Sequence, residues 1–268
     1  MNDEVTMYAP ERHQAILEQA RANGRVEVRE LAELLRVTPE TIRRDLTSLE
    51  RRGLVRRAHG GAIPVERSLV GPAVSERNEI RVAEKLAIAT AAIDELPDGG
   101  SILIDAGTTT IKLAELIPTD RRLTVVTHSL PVAIALADRE NIELHVLGGL
   151  VRSTSRATVG TWTHQMVSMV SVDVAFISIN GITPERGLTT HNIAEAAVKS
   201  AIIKASRRSI VLADHSKFGR EEFSRVAPLA AIDTIITDAG VNAELVHEVE
   251  ASGPDVILAG PSPTPAVA

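Results

Sequence analysis

The sequence predicts two domains of different class, a small α+β domain at the N-terminus and a larger α/β domain with an open, mostly parallel sheet. Residues 8–62 show apolar positions at helical spacing and then a short basic hairpin, whereas short apolar strands alternate with helices from about residue 81 onward. Charge divides the chain at the same place. Residues 8–62 hold eleven Arg and no Lys against eight acidic residues, although the whole chain has a net charge of −6. Such asymmetry is typical of a nucleic-acid-binding part joined to a part with another task.

Composition excludes several classes of protein. The chain has no cysteine, which excludes a disulfide framework and thiol chemistry. No apolar run approaches the length of a transmembrane helix, and the first residues lack the pattern of a signal peptide. We therefore expect a cytoplasmic protein that does not engage a membrane. Aromatic residues make up only 2 % of the chain, which disfavours the stacking surfaces that bind single-stranded nucleic acid.

The first 62 residues predict three helices and a hairpin. Helices are expected over 10–22, over 29–36 and from Thr38 onward, with a short strand over 26–28. The third helix has the clearest signals, because Thr38 can cap it, Pro39 suits its first position and Gly53 can end it. Helix, helix, short turn, helix and basic hairpin is the order of a winged helix-turn-helix, so the N-terminal domain is predicted to be of that α+β fold.

The third helix has an apolar stripe and an outer face suited to DNA. Ile42, Leu46 and Leu49 recur at helical spacing, and hydroxyl and guanidinium side chains lie around the rest of the helix. We expect the arginines of this helix and of the hairpin to neutralise phosphates, and the shorter polar residues to lie nearer the base edges. The candidate DNA-binding residues are Glu40, Thr41, Arg43, Arg44, Thr47, Ser48, Arg51, Arg56 and Arg57. A solvated, salt-bridged helix face is the alternative interpretation of the charge pattern.

Residues 63–80 lack periodicity and contain two prolines, so they are predicted to be a linker. The α/β domain is then expected over 81–260, and a Pro-rich tail over 261–268 is expected to be disordered. In an open parallel sheet, ligands bind outside the carboxyl ends of the strands. The residues that follow the predicted strands are therefore the candidates for a second site.

The first predicted strand of this domain leads through DAGTTT directly into a helix. Glycine permits close approach of the backbone, and the free N–H groups of a helix N-terminus attract an anion, so this segment has the outline of a phosphate site. It matches neither the P-loop nor the dinucleotide fingerprint, and a plain helix cap is the alternative. Polar residues after the other strands would suit a phosphorylated sugar or polyol. The candidate effector-binding residues are Asp105, Gly107, Thr108, Thr109, Thr110, His128, Arg152, Asn180, Asp214 and Lys217.

Two further expectations concern charged and imidazole side chains. Glu195 and Lys199 are four residues apart on a predicted helix, which favours a structural ion pair between them, with a ligand role as the alternative. The histidines show no metal-binding spacing, so neither a metal site nor a cofactor is predicted. Trp162 is expected in the core or in an interface.

The motifs TIRRDL-x₂-LE-x₂-G-x₃-R-x-HGGA, DAGTTT, TVVTHSL, VLGG-x₂-R, GLTT, EAAVK and LADHSKFG, in this order, resemble the DeoR family of bacterial transcription regulators. The resemblance implies an operator-binding winged helix and an effector domain related to ribose-5-phosphate isomerase. It also implies repression of a sugar-catabolism operon, release from DNA by a phosphorylated sugar, and assembly as a dimer or tetramer. His128 and Asn180 depart from the family pattern, in which asparagine and an acidic residue are usual.

Two other functions stay open from the sequence. The C-terminal domain could catalyse the isomerisation of a sugar phosphate, with Asp105, Asp214 and Lys217 as acid–base groups. The chain could also bind DNA without any small-molecule effector.

Overall fold

The computed structural model describes residues 9–23, 25–51, 55–58, 60–64 and 74–260. The chain divides into two compact units, Met1–Ser68 and Leu69–Ala268. The predicted helix end at Gly53 and the predicted disordered tail 261–268 lie outside the described residues. None of the described helices combines the length and the apolar character needed to cross a membrane.

The first unit is a winged helix-turn-helix, as the sequence predicts. Its elements are α1 (Ala9–Asn23), β1 (Val26–Glu27), α2 (Val28–Leu34), α3 (Pro39–Arg51), β2 (Val55–Ala58) and β3 (Gly61–Pro64). The strands form an antiparallel sheet in the order β1-β3-β2, so the basic hairpin of the sequence is the wing. Ile42, Leu46 and Leu49 are fully buried against Ile16 and Leu31 of the other two helices. The apolar stripe of α3 therefore fixes which of its faces meets solvent.

The second unit is built on a seven-stranded sheet. Its strands are β4 (Gly99–Ile104), β5 (Arg122–Thr127), β6 (Ile142–Val146), β7 (Leu150–Arg152), β8 (Ala157–Val159), β9 (Val172–Ser178), β10 (Gly181–Thr183), β11 (Gly187–Thr190), β12 (Ser206–Leu212), β13 (Ser224–Ala227), β14 (Thr234–Asp238) and β15 (Asp255–Ala259). Its helices are α4 (Val74–Asn78), α5 (Val82–Ile93), α6 (Thr108–Leu116), α7 (Leu130–Leu136), α8 (Thr161–Ser168), α9 (Ile193–Ala205) and α10 (Ala243–Glu250).

The large sheet has the order β15-β14-β12-β9-β4-β5-β6, and every neighbouring pair in it is parallel. From β4 the chain builds outward through β5 to β6, then returns to β9 and builds outward on the other side. The direction of winding therefore reverses between β4 and β9. This is the topological switch point, where an open α/β sheet has its ligand crevice.

The packing explains why nearly every main-sheet strand could be recognised from its apolar run. Two groups of buried apolar side chains cover the two faces of the sheet, and Phe176 of β9 is fully buried between β4 and β12. The sequence did not predict the smaller sheets β7-β8 and β10-β11-β13, whose strands have only three or four residues each. Trp162 lies on α8 with 74 % of its surface exposed, so it is not a core residue of this unit.

The segment 63–80 differs from the structureless linker that the sequence suggests. Ile63 and Pro64 belong to the wing strand β3, and residues 74–78 form α4. Val74 is buried in the core of the second unit and donates its N–H to the carbonyl of Thr154 at 2.9 Å. A helix of five residues is too short to produce a recognisable apolar period, so the sequence pattern did not predict α4.

Candidate functional site

The outer face of α3 is exposed and begins at a capped N-terminus. The Thr41 N–H donates to the Thr38 hydroxyl at 3.2 Å, so the capping role expected of Thr38 is present. Among the candidate DNA-binding residues, Glu40, Arg43, Arg44, Thr47, Arg51 and Arg56 are exposed, while Thr41, Ser48 and Arg57 are half-buried. The structure thus places most of the candidate set in solvent.

Some of these side chains already have partners within the first unit. Arg43 Nη1 lies 3.1 Å from Glu40 Oε2, and the Thr47 hydroxyl donates to the Arg43 carbonyl at 2.8 Å. In the wing, the Arg57 N–H donates to Glu50 Oε1 at 2.9 Å, while Arg57 Nη1 is buried without a hydrogen-bond partner. The surface ion pair of Arg43 is weak enough to be exchanged for a phosphate. Arg44 and Arg51 are two further exposed cations of α3.

A buried carboxylate fixes α3 against α1, and the sequence interpretation missed it. Asp45 is buried, and its two oxygens accept hydrogen bonds from Arg12 Nε at 2.5 Å and Arg12 Nη2 at 3.0 Å. His13 Nε2 lies 3.1 Å from the same carboxylate. The hydrogen bond with Asp45 raises the pKa of Arg12 above its ordinary value. An acidic residue directly before Leu46, inside the apolar stripe, was the signal that could have revealed it.

The candidate effector site begins at the switch point, where Asp105 follows β4 and Ser178 ends β9. Asp105 is fully buried, and one of its oxygens accepts from the Ser178 N–H at 2.9 Å and from the Ser178 hydroxyl at 3.1 Å. Lys199 of α9 forms an ion pair with that same oxygen and also donates to the Ser178 carbonyl at 2.9 Å. The other oxygen lies 2.8 Å from His128 Nε2. Three neighbouring chain segments are therefore tied to one carboxylate.

In this arrangement the carboxylate of Asp105 is held by protein groups on both of its oxygens. Burial acts to raise its pKa, but the charge of Lys199 and the hydrogen bond from His128 outweigh burial and hold the pKa of Asp105 well below its usual range. Both oxygens have protein partners, and the residue is fully buried in the ligand-free structure. His128 is also buried, with Nδ1 2.8 Å from the Thr158 carbonyl, and it belongs to the same network.

Gly107 and the three threonines form the N-terminus of α6, and no side chain caps this helix. The Thr110 hydroxyl is turned inward, 2.7 Å from the Asp105 carbonyl and 3.0 Å from the Gly107 carbonyl. The backbone N–H groups of the first helical turn, at Gly107 to Thr110, have no intrahelical acceptors and are the donors of an anion site. A Cβ at Gly107 would lie 2.3 Å from the Ser178 hydroxyl, so only glycine fits there.

Arg152 and Asn180 line a small polar cavity together with residues that the sequence did not single out. Arg152 pairs with Glu195 at 3.4 Å, and Asn180 Oδ1 accepts from the Thr190 hydroxyl at 2.7 Å. The expected ion pair between Glu195 and Lys199 is absent, because each takes a partner from a strand-end segment instead. The cavity is lined by Arg77, Arg152, Thr154, Ser155, Asn180, His191 and Glu195.

Asp214 and Lys217 lie in a neighbouring cluster of charges. Asp214 is buried, accepts from the Ser216 N–H at 3.0 Å and lies 3.6 Å from Arg81 Nε. Burial acts against the charged form, but Lys217 and the Ser216 hydrogen bonds keep the pKa of Asp214 lowered. Burial lowers the pKa of Lys217, and it lowers the pKa of Lys85 to about 8. Asp214 thus serves mainly as a cap and counter-ion, while Lys217 is a cation held ready at a strand end.

Arg77 connects these groups. Glu195 and Asp105 act to raise the pKa of Arg77, Arg152 acts to lower it, and Arg77 acts in turn to lower the pKa of Lys217. Among the residues that the structure describes, no group of three or more His, Asp or Glu side chains is arranged to hold a metal ion. The strand ends therefore offer backbone donors and cations around a carboxylate that is already neutralised, which is chemistry for binding an anion.

Two protein-family matches together cover most of the chain. Residues 12–68 match the DeoR-like helix-turn-helix domain, and residues 80–239 match the DeoR C terminal sensor domain.

Similar proteins cover nearly the whole chain. The "Putative aga operon transcriptional repressor" of Escherichia coli O157:H7 is 33 % identical over 93 % of this chain and 94 % of its own length. The "HTH-type transcriptional regulator GlpR" of Haloferax volcanii is 35 % identical over 94 % of this chain and 98 % of its own length. The "Glycerol-3-phosphate regulon repressor" of Escherichia coli K12 is 34 % identical over 87 % of this chain and 92 % of its own length.

Proposed function

The chain belongs to the DeoR family of DNA-binding transcriptional regulators, and from this premise we propose that it is a repressor released from its operator by a phosphorylated sugar or polyol. The regulated genes would be those of the catabolism of that compound. The observation that carries the proposal is the uncapped N-terminus of α6 at the switch point, where the acid beside it is already neutralised. Of the relatives, one is named for a regulon of glycerol 3-phosphate, a phosphorylated polyol.

The proposed DNA interface is the outer face of α3 with the wing. Arg44, Arg51 and Arg56 are exposed, and we assign them to phosphates, with Arg43 joining them after leaving Glu40. Thr47 and Ser48 are assigned to positions nearer the base edges. Phosphate contacts would set affinity and register, and base contacts would set sequence.

The proposed effector site is made of the backbone donors of Gly107 to Thr110, with Lys217 and Arg152 as cations. Asp105 and His128 hold the strand ends in place, and Asn180 lines the adjoining cavity. A phosphate accepts several N–H bonds and gains from the helix dipole. Binding of the effector would favour a state with weaker affinity for operator, and this requires different affinities for the two states.

The test starts from an operator selected from a random duplex library with the full chain. Release of the labelled operator is then followed by fluorescence anisotropy with glycerol 3-phosphate, a pentose 5-phosphate and hexose 1- and 6-phosphates. Each compound is paired with its unphosphorylated form. We expect one phosphorylated compound to release the operator while its unphosphorylated form does not. Lack of response to every phosphorylated compound would contradict the effector part of the proposal and leave a regulator without such an effector.

We also propose that the chain acts as a homo-oligomer, a dimer or tetramer, because two copies would present two recognition helices to neighbouring half-sites. The exposed large apolar side chains of Leu150, Trp162 and Met169 support a contact with a second copy, which would remove them from water.

A further inference from the structure

One half-buried cation of the second unit has a buried N–H group without a hydrogen-bond acceptor. Arg77 of α4 lines the polar cavity, and its Nε atom is buried without a hydrogen-bond acceptor. Across the same cavity, the Ser155 hydroxyl is also without a partner, and Ser155 is only 8 % exposed. One small cavity is therefore lined by two residues, each of which has a buried polar atom that lacks a partner. Unpaired buried donors are rare in folded proteins and call for a physical reason.

The nearby acids Glu195 and Asp105 compensate the charge of Arg77 only in part. Glu195 is the acid of this cavity, and it is paired with Arg152 at 3.4 Å. Asp105 is paired with Lys199 and His128. Burial lowers the pKa of Arg77 below its ordinary value, which means that the surroundings disfavour its charge. An anionic oxygen placed in the cavity would remove that cost and satisfy both unpaired donors.

Arg77 lies close in sequence to the DNA-binding unit, so a ligand contact at this residue could affect the segment between the two units. Helix α4 is the first described element of the second unit, and only residues 65–73 separate it in sequence from the wing strand β3. The helix is attached at its start by the Val74 N–H to Thr154 and at its end by Lys85, which donates to the Arg77 and Ile80 carbonyls. Ligand contact at Arg77 would therefore act on the segment that leads directly to the DNA-binding unit.

We infer that Arg77 and Ser155 bind an anionic oxygen of the effector, a phosphate or carboxylate oxygen, and that through Arg77 the bound effector stabilises the docking of α4. The inference rests on the proposed function, and it adds to it a binding residue that the family motifs quoted above do not include. Without effector, the docked α4 carries a half-buried guanidinium whose buried Nε has no acceptor. With effector, that penalty disappears, so the effector binds the docked state more tightly than any state in which α4 has left the cavity.

The experiment compares R77Q, R77K and S155A with the wild-type full chain. The matched control is R207Q. The Arg207 side chain is 80 % exposed, and its ion pair with Asp173 is long, at 3.9 Å. The probes are the phosphorylated compound that releases the wild-type operator complex and inorganic phosphate. The measurements are operator affinity without ligand, the probe concentration for half release, and the melting temperature with and without probe.

For R77Q we expect operator affinity within about twofold of wild type. We expect the half-release concentration to rise by about tenfold or more, because the variant loses a charge-assisted hydrogen bond to the effector. The half-release concentration of R77K should lie between those of wild type and R77Q, because lysine keeps the charge but not the fork of donors. S155A should weaken the response without lowering the melting temperature, since its hydroxyl makes no hydrogen bond in the ligand-free protein. R207Q should behave as wild type.

The stability of the ligand-free variants separates a binding role from a structural one. Removing a half-buried charge whose buried Nε has no acceptor should leave the melting temperature of R77Q unchanged or raised. An R77Q protein that melts earlier but responds to the probe as wild type does would overturn the inference and assign Arg77 to the fold alone. If inorganic phosphate and every phosphorylated compound leave wild type unchanged, the proposed effector and this inference both fail. A wild-type response that R77Q retains overturns only the inference.

Discussion

Replacement of Lys199 by methionine tests the network at the switch point most directly. Lys199 is 4 % exposed and Asp105 is fully buried, so the pair belongs with buried ion pairs and not with exposed ones, which contribute only about 0–1 kcal/mol. Lys199→Met keeps the length of the side chain but leaves a buried carboxylate with only His128 and Ser178. Breaking a buried pair in this way costs about 3–5 kcal/mol. Because the hydrogen bonds from His128 and Ser178 remain, we expect the lower end, about 3 kcal/mol.

For a unit of this size, a loss of about 3 kcal/mol corresponds to a melting temperature lower by roughly 6–12 °C. Urea unfolding followed by circular dichroism measures the free energy of unfolding, since the fluorescence of the exposed Trp162 would report poorly on the core. Lys204→Met, an exposed lysine on the same helix, is the control and should change stability by less than about 0.5 kcal/mol.

The dependence on pH supplies an independent check. In wild type the pKa of Asp105 is held below its unfolded value, so this carboxylate contributes stability above that value and loses it as pH falls through the folded pKa. Without Lys199, burial is the largest influence and should raise the pKa of Asp105 above its unfolded value, so the variant should gain stability as pH falls. The difference between the two proteins should therefore shrink from pH 7 toward pH 5. A loss below about 1 kcal/mol at pH 7, or a difference that grows with acid, would refute the ion-pair argument.

Four further predictions follow from other contacts. Arg44→Ala should weaken operator binding and reduce the slope of log affinity against log salt by about 0.9, the value for one phosphate contact, as measured by anisotropy titrations from low to high salt. Asp45→Ala should lower the stability of the first unit by about 3 kcal/mol, seen by thermal unfolding, because it removes the buried ion pair with Arg12 and both of its hydrogen bonds. Gly107→Ala should lower the melting temperature and the response to effector, and Ser178→Gly should restore both by removing the atoms that the new Cβ meets. Met169→Ser should shift the assembly toward smaller species in sedimentation velocity, and an unchanged distribution would remove this surface from the proposed interface.

The strands of the main sheet could be predicted because they are buried on both faces and read as continuous apolar runs. The polar residues that follow them could be assigned to one edge for the same reason. Which of those residues touch one another could not be predicted. Glu195 and Lys199 satisfy the helical spacing of an ion pair, yet the structure pairs Lys199 with Asp105, 94 residues earlier, because α9 packs beside β9. The spacing of residues along a helix predicts contacts within that helix. It does not predict contacts with a strand end that is distant in sequence.

The position of Arg77 could not be predicted from the sequence for a different reason. It lies in a helix of five residues that follows a segment with Pro64, Gly71 and Pro72, and no periodicity could reveal that its side chain is half-buried. Lys85 lies just beyond the predicted linker, and its burial against the carbonyls of Arg77 and Ile80 was equally invisible in the sequence. Long-range packing decided the role of both residues, and local propensity did not.

Neutralisation of the Asp105 carboxylate is what the binding of an anion at the neighbouring strand ends would require. An unpaired carboxylate next to the N-terminus of α6 would repel a phosphate, and low dielectric would strengthen that repulsion. Lys199 and His128 remove it, while Ser178 and Gly107 hold β9 and α6 so closely that no other side chain can enter. The acid therefore fixes the geometry of an anion site without opposing the anion. Loss of Lys199 should then weaken binding of a phosphorylated ligand even at temperatures where the variant is fully folded, whereas loss of a purely structural pair would leave that affinity unchanged.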